Sequence, residues 1–131
     1  MQIESKIGKI KRNSDHIYNT LSDFTKIEQL IPPDKIKDAS FSSNSCKINL
    51  PEMGNVEISI IEKETNALIK YEGNIQQSFS FYLWLQLKSL NENDTRFKIT
   101  IKADIPKLIA FAVKGKIKTA LDDMVDKIEN I

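Results

Sequence analysis

The stretch from Phe79 to Ala103 constrains this chain more than any other. Phe79, Phe81, Leu83, Leu85 and Leu87 alternate with Ser80, Tyr82, Trp84, Gln86 and Lys88. After a polar break at Asn91 to Asp94, Phe97, Ile99, Ile101 and Ala103 alternate with Arg96, Lys98, Thr100 and Lys102. A period of two puts one set on each side of a strand, so the stretch predicts two neighbouring strands with one apolar face and one wet face. Val56, Ile58 and Ile60 extend the apolar face on an earlier strand, and Ala67, Ile69 and Tyr71 on the next. Polar clusters at Ser42 to Asn44, Pro51 to Asn55, Glu62 to Asn66, Asn74 to Ser78 and Asn91 to Asp94 divide Ile36 to Ala103 into six short strands. Their spacing leaves no room for crossover helices, so consecutive strands pair as antiparallel hairpins.

An apolar sheet face must be covered. The segment after Asp104 supplies the cover: Asp104 is placed to cap a helix, Pro106 fits its first turn, and Ile105, Leu108, Ile109, Ala112 and Val113 form an apolar set. Beyond Gly115 the set becomes Ile117, Ala120, Leu121, Met124, Val125 and Ile128, rotated by roughly a quarter turn at 100° per residue. A bend near Gly115 would let both halves face a curved sheet. At the other end, residues 2 to 10 alternate as a strand with Ile3, Ser5 and Ile7 on one face. Asn13-Ser14-Asp15 offers an N-cap for a short helix carrying Ile17 and Leu21, and Ser22-Asp23 caps a second carrying Phe24, Ile27, Leu30 and Ile31. Pro32-Pro33 ends it.

The expected product is one α+β domain spanning residues 1–131, in the order strand, two helices, six strands, helix, with about seven strands wrapped around the last helix. A 131-residue chain has room for one core. A formal net charge of +1 gives no global field to steer it onto nucleic acid. The N-terminus lacks the apolar core of a signal peptide and no run approaches 18 apolar residues, so the expectation is a cytoplasmic protein without stable membrane insertion. Cys46 is the only cysteine and His16 the only histidine, which leaves no internal disulfide or multi-histidine metal site; no metal or cofactor is expected.

This order of elements resembles the helix-grip architecture of the START-like, or SRPBCC, superfamily over essentially the full length. The pieces Tyr18 to Asp23, Ile31 to Asp38, Phe81 to Leu87 and Lys98 to Ala103 resemble a group of small bacterial members described as polyketide cyclase-like or uncharacterised. The superfamily includes carriers, lipid-transfer domains, aromatic cyclases and chaperone-activating domains, most of which use the space between sheet and helix for an apolar ligand. The resemblance therefore implies a binding or carrier module for a small hydrophobic or amphipathic molecule. No family motif carries a catalytic residue across.

The residues themselves say little of chemistry. Ser14, Asp15 and His16 are neighbours on a helix start and point in different directions, whereas a triad needs a relay in space. Glu57, Glu62, Glu64, Glu72, Glu92 and Asp94 fall on outward positions or in turns, and no inward strand position carries an acid or base, which speaks against a pocket enzyme. Tyr71 is the main inward polar group; its hydroxyl serves either packing or a ligand, and Ser5 offers a second. The expected cavity lining is Phe24, Ile27, Ile58, Ile69, Tyr71, Phe81, Leu83, Phe97, Ile99, Ile109 and Val113, though the same residues would equally fill a solid core. Two alternatives stand beside the carrier: a polyketide cyclase/dehydrase-like enzyme, and a filled-core domain acting through its surface, with a homodimer contact on the Tyr82/Trp84 face. Lys107, Lys114 and Lys118 are read as a solvated helix face, opposed by Asp122, Asp126 and Glu129. The second short helix and its Pro32-Pro33 loop are the expected entrance.

Overall fold

The computed structural model describes residues 1–35, 38–50 and 54–131. Strands β1 (Gln2–Glu4) and β2 (Gly8–Ile10) precede helices α1 (Ser14–Leu21) and α2 (Phe24–Glu28) and a single 3-10 turn (Pro33–Lys35). Strands β3 (Ser40–Phe41), β4 (Ser45–Leu50), β5 (Gly54–Glu64), β6 (Leu68–Ile75), β7 (Phe79–Asn91) and β8 (Asp94–Ala103) follow, and helix α3 (Lys107–Ile128) closes the chain. All pairings are antiparallel, in the order β1-β8-β7-β6-β5-β4-β3, with β2 also on β8. This is the expected α+β helix-grip arrangement, with eight strands because the first is broken in two. The expected strand start at Ile36, and the turn at Pro51 to Asn55 as far as Met53, lie outside the described residues.

Register confirms the strand parity. Tyr71 pairs with Leu83 and Leu83 with Ile101, Ile69 with Leu85 and Leu85 with Ile99, Leu87 with Phe97. These residues share one face, and most of them join a continuous buried core with Ile3, Ile17, Leu21, Phe24, Leu121 and Val125. Helix α1 reaches that core because Asn13 caps it, accepting from the His16 backbone N–H at 3.2 Å, which orients Ile17 and Leu21 inward. Asp23 caps α2 through the Thr25 N–H and hydroxyl, at 2.9 and 2.6 Å, and the hydroxyl contact holds its carboxyl below the usual range. Phe24 then meets Tyr71 edge-on with ring centroids 5.7 Å apart.

Two expectations are corrected. Ile7 does not share a face with Ile3 and Ser5: it is exposed, while Gly8 and Ile10 turn inward. The chain leaves the strand at Ser5 to Ile7 and changes parity. Gly8 lies against the Phe97 ring, so close that a Cβ there would stand 2.3 Å from it. The break also frees backbone donors for the C-terminal half of α3. The Lys6 N–H donates to Asp122 (2.7 Å), the Lys9 N–H to Glu129 (2.8 Å), and the Lys6 ammonium pairs with Asp126 at 2.5 Å.

The second correction concerns α3. It starts at Lys107 with Pro106 as its cap residue and no side-chain cap, so Asp104 does not serve there. Leu121 and Val125 are buried, and Ile117 and Ile128 pack against the core. Leu108 and Ala112, expected inward, are exposed. Residues 108 to 113 are apolar without interruption, so no single face is specified and the register of the docked half decides which way each one points. The helix continues through Gly115 without a break.

Candidate functional site

The inner face of the sheet divides into two regions. Under α1, α2 and the C-terminal half of α3 it is filled: Phe24, Ile69, Tyr71, Phe97 and Ile99, all expected to line a cavity, are buried in one core. Toward the other end of β7 and β8 the packing opens. Leu83, Ile101, Ile58 and Ile117 are half-buried at the border of the core, and Ile75, Phe79, Ile105, Ile109 and Val113 lie beyond it. Helix α3 packs on β1, β2 and β8, to one side of the sheet. Apolar residues on the N-terminal half of α3 and at that end of strands β6 to β8 are thus left partly open to solvent. Of the expected lining, Leu83, Ile58, Val113 and Ile27 are half-buried and Ile109 is exposed. Phe81 is buried over Gly73, where a Cβ would come within 2.3 Å of its ring. Sequence reasoning left out Phe79, 38% exposed although it continues the inner face; its parity was legible, its exposure was not.

The polar groups near this face are engaged. The Tyr71 hydroxyl donates to the Leu21 carbonyl at 2.5 Å, and burial pushes its pKa up, with the Cys46 thiol adding to the shift. Burial likewise pushes Cys46 up to about 11, so it is a packed thiol at neutral pH. The Ser5 hydroxyl donates to the Lys6 carbonyl and accepts from the Ile99 N–H, at 2.8 and 2.9 Å. Thr95, wholly buried, donates to the Arg12 carbonyl. Among the described residues the inward positions of β4 to β8 carry no carboxylate, arginine or histidine and one lysine, Lys63, which pairs with Ile69 beyond the irregularity in β5 and is exposed, its ammonium 3.5 Å from Asn44 Oδ1.

The Ser14, Asp15 and His16 cluster does not converge. Ser14 is buried, Asp15 accepts from the Asn66 amide, and His16 Nε2 lies 3.3 Å from the Arg12 guanidinium. Glu62, Glu64, Glu72 and Glu92 are exposed, Glu57 faces Lys47 at 3.8 Å and Asp94 pairs with Arg96. On the outer face the Lys70 ammonium stands 4.6 Å from the Tyr82 ring centre and 5.2 Å from that of Trp84, so a cation–π contact already covers these aromatics. No group of three metal-ligating side chains occurs among the described residues, and no described helix is long and apolar enough to cross a membrane. Two surface depressions, of about 640 and 360 Å³, lie elsewhere. The larger runs along β4 to β6 and is lined mainly by polar side chains such as Lys47, Glu57 and Asn74; the smaller joins β2 to the β7–β8 turn.

No family model matches the sequence, and no curated protein matches it. Solved structures do match over nearly the whole chain. A protein of Mesorhizobium loti is 13% identical with a TM-score of 0.74, covering 99% of this chain and 95% of the other. A point mutant of norcoclaurine synthase from Thalictrum flavum, in complex with a transition-state analogue, is 12% identical with a TM-score of 0.79, covering 99% and 92%. A conserved protein of Geobacillus kaustophilus is 13% identical with a TM-score of 0.72, covering 99% and 93%. At such identities the likeness is one of fold: this chain has the helix-grip fold of those proteins.

Proposed function

We propose that the protein binds or carries a small hydrophobic or amphipathic molecule in an apolar trough formed between strands β6 to β8 and the N-terminal half of α3. The observation that carries this reading is the incomplete burial of Phe79, which continues the apolar inner face, and of Ile109 on α3, at 38% and 42% exposure. Apolar surface left open beside a closed core favours an apolar occupant, which gains roughly 25 cal/mol for each Å² it removes from water. The helix-grip fold of the solved neighbours supports a ligand between sheet and helix. The trough offers few polar anchors, because Tyr71 and Ser5 are spent on backbone partners. Shape and apolar area would therefore select the ligand, with a polar head left toward solvent.

An enzyme of the kind represented by norcoclaurine synthase needs ionisable groups aimed at its substrate. Among the described residues the inner strand face supplies only Lys63, which is exposed and turned to the Asn44 side chain, and the buried Cys46 thiol is held protonated. The carrier reading is therefore preferred over a cyclase-like one.

The test is to purify the protein from cells and compare its mass under native and denaturing conditions. A recurrent stoichiometric small molecule, or uptake of one member of a fatty-acid, sterol and aromatic-polyketide panel, is expected. Filling the trough with Val113→Trp should abolish uptake while leaving the melting temperature within a few degrees. An empty protein that takes up no member of the panel would overturn the proposal.

A further inference from the structure

Helix α3 carries a second apolar surface that faces away from the sheet. Leu108 and Phe111 are 87% and 90% exposed, the most exposed large hydrophobic residues described. At 100° per residue they fall with Ala112 and Gly115 on one outward stripe, and all four are exposed. Lys107, Lys114 and Lys118 border one side of that stripe and Lys116 the other. Lys107, Lys114 and Lys116 make no hydrogen bond or ion pair among the described residues; Lys118 alone is paired, with Asp122 at 3.0 Å. The charge changes sign along the helix: from Lys102 to Lys118 Asp104 is the only acidic residue, whereas the final turns hold Asp122, Asp123, Asp126 and Glu129.

We propose that the N-terminal half of α3 docks reversibly on an anionic lipid bilayer. Leu108 and Phe111 enter the boundary between headgroups and acyl chains, and the lysines extend to the lipid phosphates. The acidic C-terminal half, fastened to β1 and β2, is repelled by the same surface, so the helix meets it with its N-terminal end. Charge decides between this occupant and a second copy of the chain. A two-fold contact through Phe111 would set the unpaired lysines of one molecule against those of the other, whereas an anionic surface neutralises them. Phe79 and Ile105 lie at the same end of the fold, since Phe81 pairs with Ala103, so the docked edge is also the open end of the trough. The docking argument does not depend on what the trough holds.

The test is sedimentation of the full chain with phosphatidylcholine vesicles, with and without phosphatidylglycerol, at low and high salt. Binding to the anionic vesicles should exceed that to the neutral ones by about tenfold or more and weaken with salt. The double variant Leu108→Asp/Phe111→Asp should lose about tenfold or more while melting like the parent, because neither side chain packs on the core. Leu90→Asp, at the opposite end of β7, should bind as the parent does, and Lys107→Glu/Lys114→Glu/Lys116→Glu should erase the anionic preference. Equal binding to both vesicles, no binding, full binding by the double variant, or self-association through Phe111 would each overturn the proposal.

Discussion

The two halves of α3 belong to one unbroken helix, yet they stand in opposite relations to the sheet. The C-terminal half is held twice: Leu121 and Val125 enter the core, and Asp122, Asp126 and Glu129 grasp the chain at Lys6 and Lys9. The N-terminal half is more apolar in sequence and makes less use of it, leaving Leu108 and Phe111 in water and Ile109 partly so. Apolar content alone does not dock a helix. Docking requires the apolar residues to form a stripe, and polar contacts that fix which stripe faces in. The strand break at Ser5 to Ile7 supplies those contacts to one half only.

The largest effect that can break this comparison is truncation within the docked half. Leu121→Ala should cost about 2–5 kcal/mol in chemical denaturation, as for other fully buried leucines. Leu108→Ala should stay within about 0.5 kcal/mol. Equal losses would mean that both halves are packed alike. Next comes the break that aims the clamp: Gly8→Ala forces a Cβ into the Phe97 ring and should cost about 1–3 kcal/mol by overpacking. Tyr71→Phe, which leaves the buried Leu21 carbonyl without its donor, should cost about 1 kcal/mol and leave ligand uptake unchanged. A loss of uptake without a loss of stability would instead return Tyr71 to the site.

The smallest effect is the pH dependence of the clamp. The Lys6 N–H, and then Lys118, hold the Asp122 carboxyl below its ordinary 3.8. Its contribution is therefore present above that value and lost as pH falls through the depressed pKa. The hydrogen bond to Asp126 raises Lys6 above 10.5, so that contribution is present below 10.5 and lost as pH rises through the raised pKa. Acid melts of the parent should show a small extra loss below pH 3.8 that Asp122→Asn lacks; identical curves would remove the clamp from the account.

The sheet was legible because alternation at Phe81, Leu83, Leu85 and Leu87 answers a single question, which face is buried, and register later agreed with it. The turn at Gln76 and Gln77 was placed by its polar surroundings, although both residues have positive φ and neither is the glycine or asparagine that such a turn favours. Ile7 was misassigned because a parity change leaves no local mark except Gly8, whose partner Phe97 is 89 positions away and known only after folding. Leu108 was misassigned for a different reason: six apolar residues in a row satisfy every helical face. The candidate site was half legible. Period two separates inner from outer residues, but the line between core and trough depends on where α3 lands, which is set by carboxylates on one element and backbone donors on another.

The central claim is that the inner face is closed at one end and open to an apolar molecule at the other. The most direct measurement is a methyl and aromatic NMR titration with a medium-chain fatty acid. The account predicts saturable shifts at Phe79, Leu83, Ile101, Ile109 and Val113, with Ile69, Leu121 and Val125 unmoved. Shifts spread evenly over both ends, or none at saturating fatty acid, would contradict it.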